Sequence, residues 1–413
     1  MKMTALAPLA LATGVVLAGT VSSGPAGDRD ATVRATADVQ AAVGAQSLPR
    51  GFALREIATG QGAYNLTDFG YLPGGSLLTI GKDGQVTWVP NTGPPQTIAN
   101  LATENKGDLG LVGLGVAPDY RTTHHIYLIR SIPSASEPPY RIRLSRFTVQ
   151  GEATPTGLAH EKVLVAVKAV EHTHGMTTVL PARDGTLWVS IGDLRTFRSV
   201  VPGAVNAMRI GRPEGKILHL RANGAGVRAN PFYRAAHPFS WRSRTYAGGF
   251  RSPFRFSLDP ATRRPIVGDV GWKTWEEVDL VRPGANYKWP CWEGPAETPG
   301  YSSLGRCAQV SNTRPVWSYR HGTAARQGNA VTGGIVYTGK HYPKRYRGAY
   351  FFGDFMGQKL WTMRFSSAGD LVRRPEAPPF GTDIGAPVKF AAAPNGDIVY
   401  ADMASGNLYR LTH

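Results

Sequence analysis

Cysteine is nearly absent: Cys291 and Cys307 are the only two in 413 residues. Neither has a second cysteine or a histidine at metal-ligand spacing, which excludes a zinc finger or ribbon. Acidic residues are also few, 29 Asp and Glu against 46 Lys and Arg, giving a formal charge of +17 and a pI near 10.0. The basic residues are scattered and form no long run, so the charge does not define a nucleic-acid-binding surface. It reads as a basic surface that stays soluble and loosely attracts anionic cell-wall polymers or acidic glycans. Long amphipathic helices are scarce. There is no dinucleotide fingerprint, no P-loop and no nucleophile elbow, which removes the common α/β nucleotide and hydrolase classes.

What is present is turns and short apolar runs. Glycine (49) and proline (31) are plentiful, and 42% of residues are hydrophobic, enough for a large core. Short stretches rich in Val, Ile, Leu, Tyr, Phe and Trp are bounded by Gly, Pro, Asn or Asp, the pattern of strands and tight turns. A turn followed by an apolar strand recurs at Asp83–Val89, Asp184–Val189 and Asn395–Tyr400. Looser copies precede Ile126–Leu128, Pro265–Val267 and Ala349–Phe352. Further strands are expected at Leu144–Phe147, Lys216–Leu220, Leu360–Met363 and Leu408–Leu411. Repeated four-stranded antiparallel units arranged radially make an all-β propeller. Six blades of roughly 60 residues fit the length, with the loop-rich stretches 223–244 and 295–327 absorbing the excess.

The first residues read as an export signal. Lys2 supplies the positive start, and Leu6 to Ala18 is apolar but too short for a comfortable membrane span. The expected division is a secretory signal over 1–27, a flexible lead-in over 28–48 and the propeller over 49–413, with cleavage between Ala18 and Ala45 and a secreted product free of integral membrane segments. In an exported chain a lone cysteine pair is usually a disulfide. Closing the Cys291–Cys307 loop would contribute roughly 3 kcal/mol.

Several motifs together resemble the PQQ-dependent soluble sugar dehydrogenases, the glucose/sorbosone dehydrogenase family, over roughly residues 50 to 411. They are Gly110-Leu-Val-Gly113 with Pro118-Asp-Tyr120, and His174 followed by Asp184-Gly185 and Gly192-Asp193. Phe250-Arg-Ser-Pro-Phe-Arg-Phe256, Gly268-Asp-Val-Gly271, Trp275-Glu-Glu-Val278 and Gly284-Ala-Asn-Tyr-Lys-Trp-Pro-Cys291 complete the set. The resemblance implies a six-bladed propeller that oxidises an aldose or related sugar alcohol by hydride transfer to PQQ, assisted by Ca2+, and passes electrons to an external acceptor. It implies His174 as the base, Asp193 as its partner and Arg251 as the group that polarises the quinone. Histidine suits the role because it exchanges a proton near neutral pH, and arginine because it keeps its charge. His172 competes with His174, but the unbroken spacing to Asp184-Gly185 favours His174.

By the same resemblance Asp108, Arg251 and Ser252 contact the cofactor, and the Gly271–Trp272 carbonyls hold calcium, with Asp269, Glu276 and Glu277 as nearby oxygen ligands. The chain departs from the family pattern where the cofactor's carboxylates are held. Ser252 replaces an asparagine, Met356 stands near the place of a lysine with Lys359 displaced, and Lys389 alone replaces an Arg-x-Arg pair. Losing cationic partners weakens the hold on a tricarboxylate. The alternative function is therefore a non-catalytic extracellular propeller that binds glycan or protein.

Overall fold

The computed structural model describes residues 46–136 and 138–413. Six antiparallel four-stranded sheets make a six-bladed β-propeller. Blade 1 takes Leu66–Tyr71, Leu77–Gly81, Gln85–Val89 and Gln96–Asn100. Blade 2 takes Leu111–Val116, His125–Ile132, Tyr140–Gln150 and Gly157–Ala169. Blade 3 takes Met176–Pro181, Thr186–Ile191, Lys216–Arg221 and Thr245–Gly248. Blade 4 takes Pro253–Leu258, Pro265–Asp269, Trp275–Leu280 and Trp317–Arg320. Blade 5 takes Val331–Val336, Ala349–Asp354, Lys359–Phe365 and Leu371–Arg373. Blade 6 takes Pro387–Ala392, Ile398–Asp402 and Asn407–Thr412, and borrows its outermost strand, Ala53–Ile57, from the other end of the chain. That borrowed strand closes the ring by joining the two ends of the chain in one blade, and the radial arrangement leaves only short strand edges.

The expected repeat is present but not in one phase. The Asp184-Gly185 and Asn395-Gly396 turns precede the second strands of their blades, whereas Asp83-Gly84 precedes a third strand. The expected outer strands at 144–147, 216–220, 360–363 and 408–411 are all third strands.

The first strand of every blade lies innermost, against the first strands of both neighbours. Crowding there explains the Gly110-Leu-Val-Gly113 motif. A Cβ on Gly113 would come within 2.8 Å of the Thr177 carbonyl oxygen of blade 3.

All six innermost strands carry a register break near their start: between Leu66 and Asp68, Leu111 and Gly113, Met176 and Val179, Pro253 and Arg255, Val331 and Gly333, and Pro387 and Lys389. A bulge takes backbone groups off the sheet ladder. Here carbonyls of the bulge residues meet one guanidinium. Arg255 donates to the carbonyls of Thr67 (2.7 Å), Val112 (3.0 Å), Thr177 (2.6 Å) and Val388 (2.9 Å), and to Asp68 (3.2 Å). It therefore ties its own blade 4 to blades 1, 2, 3 and 6. Lys389 of blade 6 adds a 3.0 Å ion pair to the same Asp68.

The signal segment and most of the lead-in lie outside the described residues. The end of the lead-in is held: Ser47 exchanges backbone hydrogen bonds with Thr382. No helix among the described residues is long and apolar enough to cross a membrane.

Candidate active site

In this topology the start of each first strand and the end of each second strand meet at one mouth of the channel. His174 and Arg251 each stand two residues before the first strand of their blade, blades 3 and 4. Asp193 stands two residues beyond the second strand of blade 3. The sequence-expected trio is therefore brought together at one mouth, and all three residues are buried, at 3%, 2% and 1% exposure for His174, Arg251 and Asp193.

The His174 ring places Nδ1 2.8 Å from Asp193 Oδ1. That carboxylate oxygen also accepts the Arg195 N–H at 3.0 Å, and Oδ2 accepts the Trp289 indole N–H at 2.8 Å. Asp193 is thus fixed from three directions. A carboxylate on Nδ1 sets the tautomer in which Nδ1 carries the proton and Nε2 holds the lone pair. Nε2 is buried and has no hydrogen-bond partner among the described residues.

His174 has a positive φ of 50° and Leu194 one of 57°, a left-handed conformation uncommon for such side chains. Two contacts hold it. Asp108 Oδ2 accepts the His174 backbone N–H at 3.0 Å. Gly192 lies so close that a Cβ there would sit 2.4 Å from the His174 carbonyl oxygen, which accounts for glycine in the Gly192-Asp193 pair. Asp108 Oδ1 is buried without a partner, and burial, opposed by His174 and Lys82, raises the Asp108 carboxyl above its ordinary range. Asp108, His174, Ser252 and Arg255 all line one small cavity on the axis. His172 faces elsewhere, its ring 6.2 Å from Tyr140 and its carbonyl accepting the Asp108 N–H.

Arg251 Nη1 donates to the carbonyls of Val270 (2.8 Å) and Gly271 (2.5 Å), and the guanidinium carbon lies 5.6 Å from the Trp289 ring centroid. The Gly271 carbonyl, an expected calcium ligand, therefore faces a cation. Trp272 is turned into an aromatic group with Trp289 and Tyr301, and its indole donates to the Phe197 carbonyl at 2.6 Å. Ser252 contributes its backbone N–H to Asp269 Oδ1 at 2.6 Å.

Of the expected oxygen ligands, Asp269 and Glu277 come together with Asp279, one carboxylate oxygen from each lying within 4.8 Å of the others. Glu276 turns away to His321 at 2.7 Å. Asp279 was not among the sequence candidates; its alternation with Glu277 along one strand was the available signal. Both Asp279 oxygens are buried without a partner. Burial pushes all three carboxyls up, Asp269 to about 7 and the other two well above their ordinary range; neighbouring carboxylates add to it, Asp193 on Asp269, Asp279 and Asp269 on Glu277, and Asp269 on Asp279.

The cysteines form the expected disulfide, Cα–Cα 5.2 Å, in the long excursion between the third and fourth strands of blade 4. This excursion delivers Trp289. Tyr301, inside the disulfide loop, lies 5.3 Å from Trp289, and its hydroxyl accepts the Val201 N–H at 3.0 Å. Trp289 is the main functional candidate that sequence reasoning missed. It was visible only as part of the Asn286–Cys291 motif.

The described geometry defines a propeller with a buried His–Asp pair and an arginine at one mouth. The family model described as Glucose / Sorbosone dehydrogenase matches residues 65–410, and the chain belongs to that family. The chain is 21% identical over 285 residues to quinoprotein glucose dehydrogenase B of Acinetobacter calcoaceticus, covering 64% of this chain and 58% of that one. It is 33% identical over 158 residues to HIPL2 protein of Arabidopsis thaliana, covering 37% of this chain but only 22% of that protein's length. The PQQ-bound aldose sugar dehydrogenase from Streptomyces coelicolor superimposes with a TM-score of 0.66 at 21% identity, over 89% of this chain and 99% of that one, a likeness of fold.

Proposed function

We propose that this chain is a secreted, PQQ-dependent sugar dehydrogenase acting on an aldose or related sugar alcohol. The observation that carries the reading is the buried His174–Asp193 pair whose Nε2 has no partner among the described residues, beside Arg251. An unpartnered buried nitrogen costs stability unless a ligand completes it. The N-terminal 27 residues are read as the export signal that places the propeller outside the cell.

PQQ, when bound, supplies the acceptor for the hydride from the sugar carbon. The residues at the mouth fit the reacting half of that chemistry. His174 Nε2 takes the proton of the substrate hydroxyl. Asp193 holds the resulting imidazolium in orientation, and Arg251 polarises the acceptor oxygen while Asp108 and Ser252 line the cofactor's place. The anchoring half is thinner. Lys359 Nζ donates to the carbonyls of Thr323, Ala324 and Gln327, and Lys389 is paired with Asp68. With both lysines committed elsewhere, affinity for PQQ is expected to be lower than in family members with the full cationic set. Titrating purified protein with PQQ and calcium, then following dye reduction with a panel of aldoses, tests the reading. Absence of both spectral change and dye reduction would remove it.

For calcium the donor set that fits is Asp269, Glu277 and Asp279 rather than the Gly271–Trp272 carbonyls. Calcium takes six to eight hard oxygens, and this cluster offers carboxylates at ligand spacing with both Asp279 oxygens uncommitted. Calcium at a hundredfold excess over Kd is expected to raise the apparent stability by about 2.7 kcal/mol, read as a higher thermal midpoint. Asp279→Asn should abolish that increment while leaving the calcium-free midpoint at or above that of the unmodified protein, because it also removes a like charge. An increment that persists in Asp279→Asn would move calcium elsewhere.

Trp289 acts through Asp193. Trp289→Phe keeps an aromatic ring beside Arg251 but removes the indole N–H from Asp193 Oδ2. The carboxylate then holds the imidazolium more tightly, so the acid limb of the pH–rate profile should move to higher pH. Turnover is expected to fall about tenfold with little change in KM, the loss of one hydrogen bond to a charged group. An unmoved pH profile would make Trp289 a packing residue only.

A further inference from the structure

Blade 2 is built unlike the others. Its third and fourth strands, Tyr140–Gln150 and Gly157–Ala169, run 11 and 13 residues, whereas the fourth strand of the preceding blade 1 has 5. The lower part of the blade 2 face packs against blade 1 through Phe147, Val149 and Leu158. The upper part overshoots. There the register sets Arg143 directly opposite Arg130, and Arg141 directly opposite Lys168. Arg141 and Arg143, two residues apart, share that face.

Like charges directly opposite one another in an antiparallel pair destabilise it. Two such pairs side by side need an explanation, and folding does not supply one. The acid on this face is Glu161, which is already committed to Arg130 at 2.9 Å and Ser145 at 2.8 Å. Among the described residues Arg141, Arg143 and Lys168 have no ion-pair or hydrogen-bond partner for their side chains. Arg141 and Lys168 are exposed, as are the small apolar residues Ala166 and Val170 of the same strand and the loop just beyond it. The opposite face of these strands is ordinary core, with Ile142, Leu144, Val165 and Val167 buried.

The register points to this overshooting face of blade 2 as a docking surface for an acidic polysaccharide. Cations stand about 5 Å apart across the strands and about 7 Å apart along them. That lattice suits a linear chain bearing a carboxylate on successive sugar units. Arginine grips such groups bidentately, and the intervening alanine and valine offer contact for sugar ring faces. The surface lies toward the same mouth of the propeller as His174, so a bound glycan chain would hold the enzyme where sugar ends are presented.

The test uses the full chain and polygalacturonate of defined length, with uncharged dextran and duplex DNA as comparison probes, and does not depend on catalysis. Polygalacturonate should bind in a salt-dependent way, dextran should not, and DNA should bind more weakly at equal salt. Arg141→Glu with Lys168→Glu should weaken polygalacturonate binding at least about tenfold. A reversal of equal charge at Lys340 and Arg374, both exposed and both beside strands of blade 5, should change it less than about twofold. Arg141→Glu alone turns a repulsive pair into an attractive one, so its thermal midpoint should equal or exceed that of the unmodified protein even as binding falls. Equal losses in the two double variants would reduce the effect to net charge and overturn the proposal, as would tighter binding of DNA. A midpoint lowered by Arg141→Glu would show that the cations serve the fold instead.

Discussion

Replacing His174 by Gln is expected to lower sugar-dependent dye reduction by roughly two to four powers of ten, the usual contribution of a positioned base. Three features set so large an effect. The ring is buried, so water has poor access to substitute for it. Its Nδ1 is committed to Asp193 at 2.8 Å, so the lone pair on Nε2 is available to the hydroxyl proton. Finally, its left-handed backbone is held by Asp108 and by the close approach of Gly192, so the ring direction is set before any ligand arrives. Glutamine approximates the volume but cannot carry the proton away. Binding of PQQ should change little, because in the proposed reading the imidazole faces the sugar more than the cofactor. His172→Ala is the control, since that ring packs against Tyr140, and it should keep nearly full turnover. Retention of more than about a tenth of turnover in His174→Gln would take the base assignment away from His174.

Much of this was legible in the sequence because it is local. Strand-and-turn alternation, the Gly-rich first strands and the spacing from His174 through Asp184 to Asp193 each lie within one blade. The pairing of cysteines needed no geometry, only the count. What stayed hidden depends on distant segments. The strand Ala53–Ile57 completes blade 6 by pairing with Asn407–Thr412 across the whole chain, and its sequence gives no sign of its partner. Fourth strands such as Gln96–Asn100 are half exposed and lack the apolar run that marks a strand. Trp289 reaches Asp193 over 96 residues, through a loop whose path is set by packing. The calcium expectation at Gly271 rested on carbonyls, which carry no side-chain signature. The structure gives that carbonyl to Arg251 and gathers carboxylates close by.

Arg255 has the largest expected effect on stability, although it matches no functional expectation. Arg255→Met should lower unfolding free energy by roughly 3–5 kcal/mol, the cost of breaking a buried ionic network by removing one partner. The guanidinium is 3% exposed and its donors are all used, on four bulge carbonyls and Asp68. Methionine fills similar space but leaves the carbonyls of Thr67, Val112, Thr177 and Val388 turned toward the axis with no donor. Those carbonyls cannot return to the ladder, because the bulges that free them are built into the registers of the innermost strands. Asp68 is less affected, since Lys389 and the N–H groups of Phe69 and Leu114 still reach it. Arg255→Lys should recover only part of the loss, as one ammonium has three donors where the guanidinium has five. Urea denaturation followed by tryptophan fluorescence measures the difference. A midpoint within error of the unmodified protein would mean that water replaces the guanidinium on the axis, and that the blades are held by their apolar faces alone.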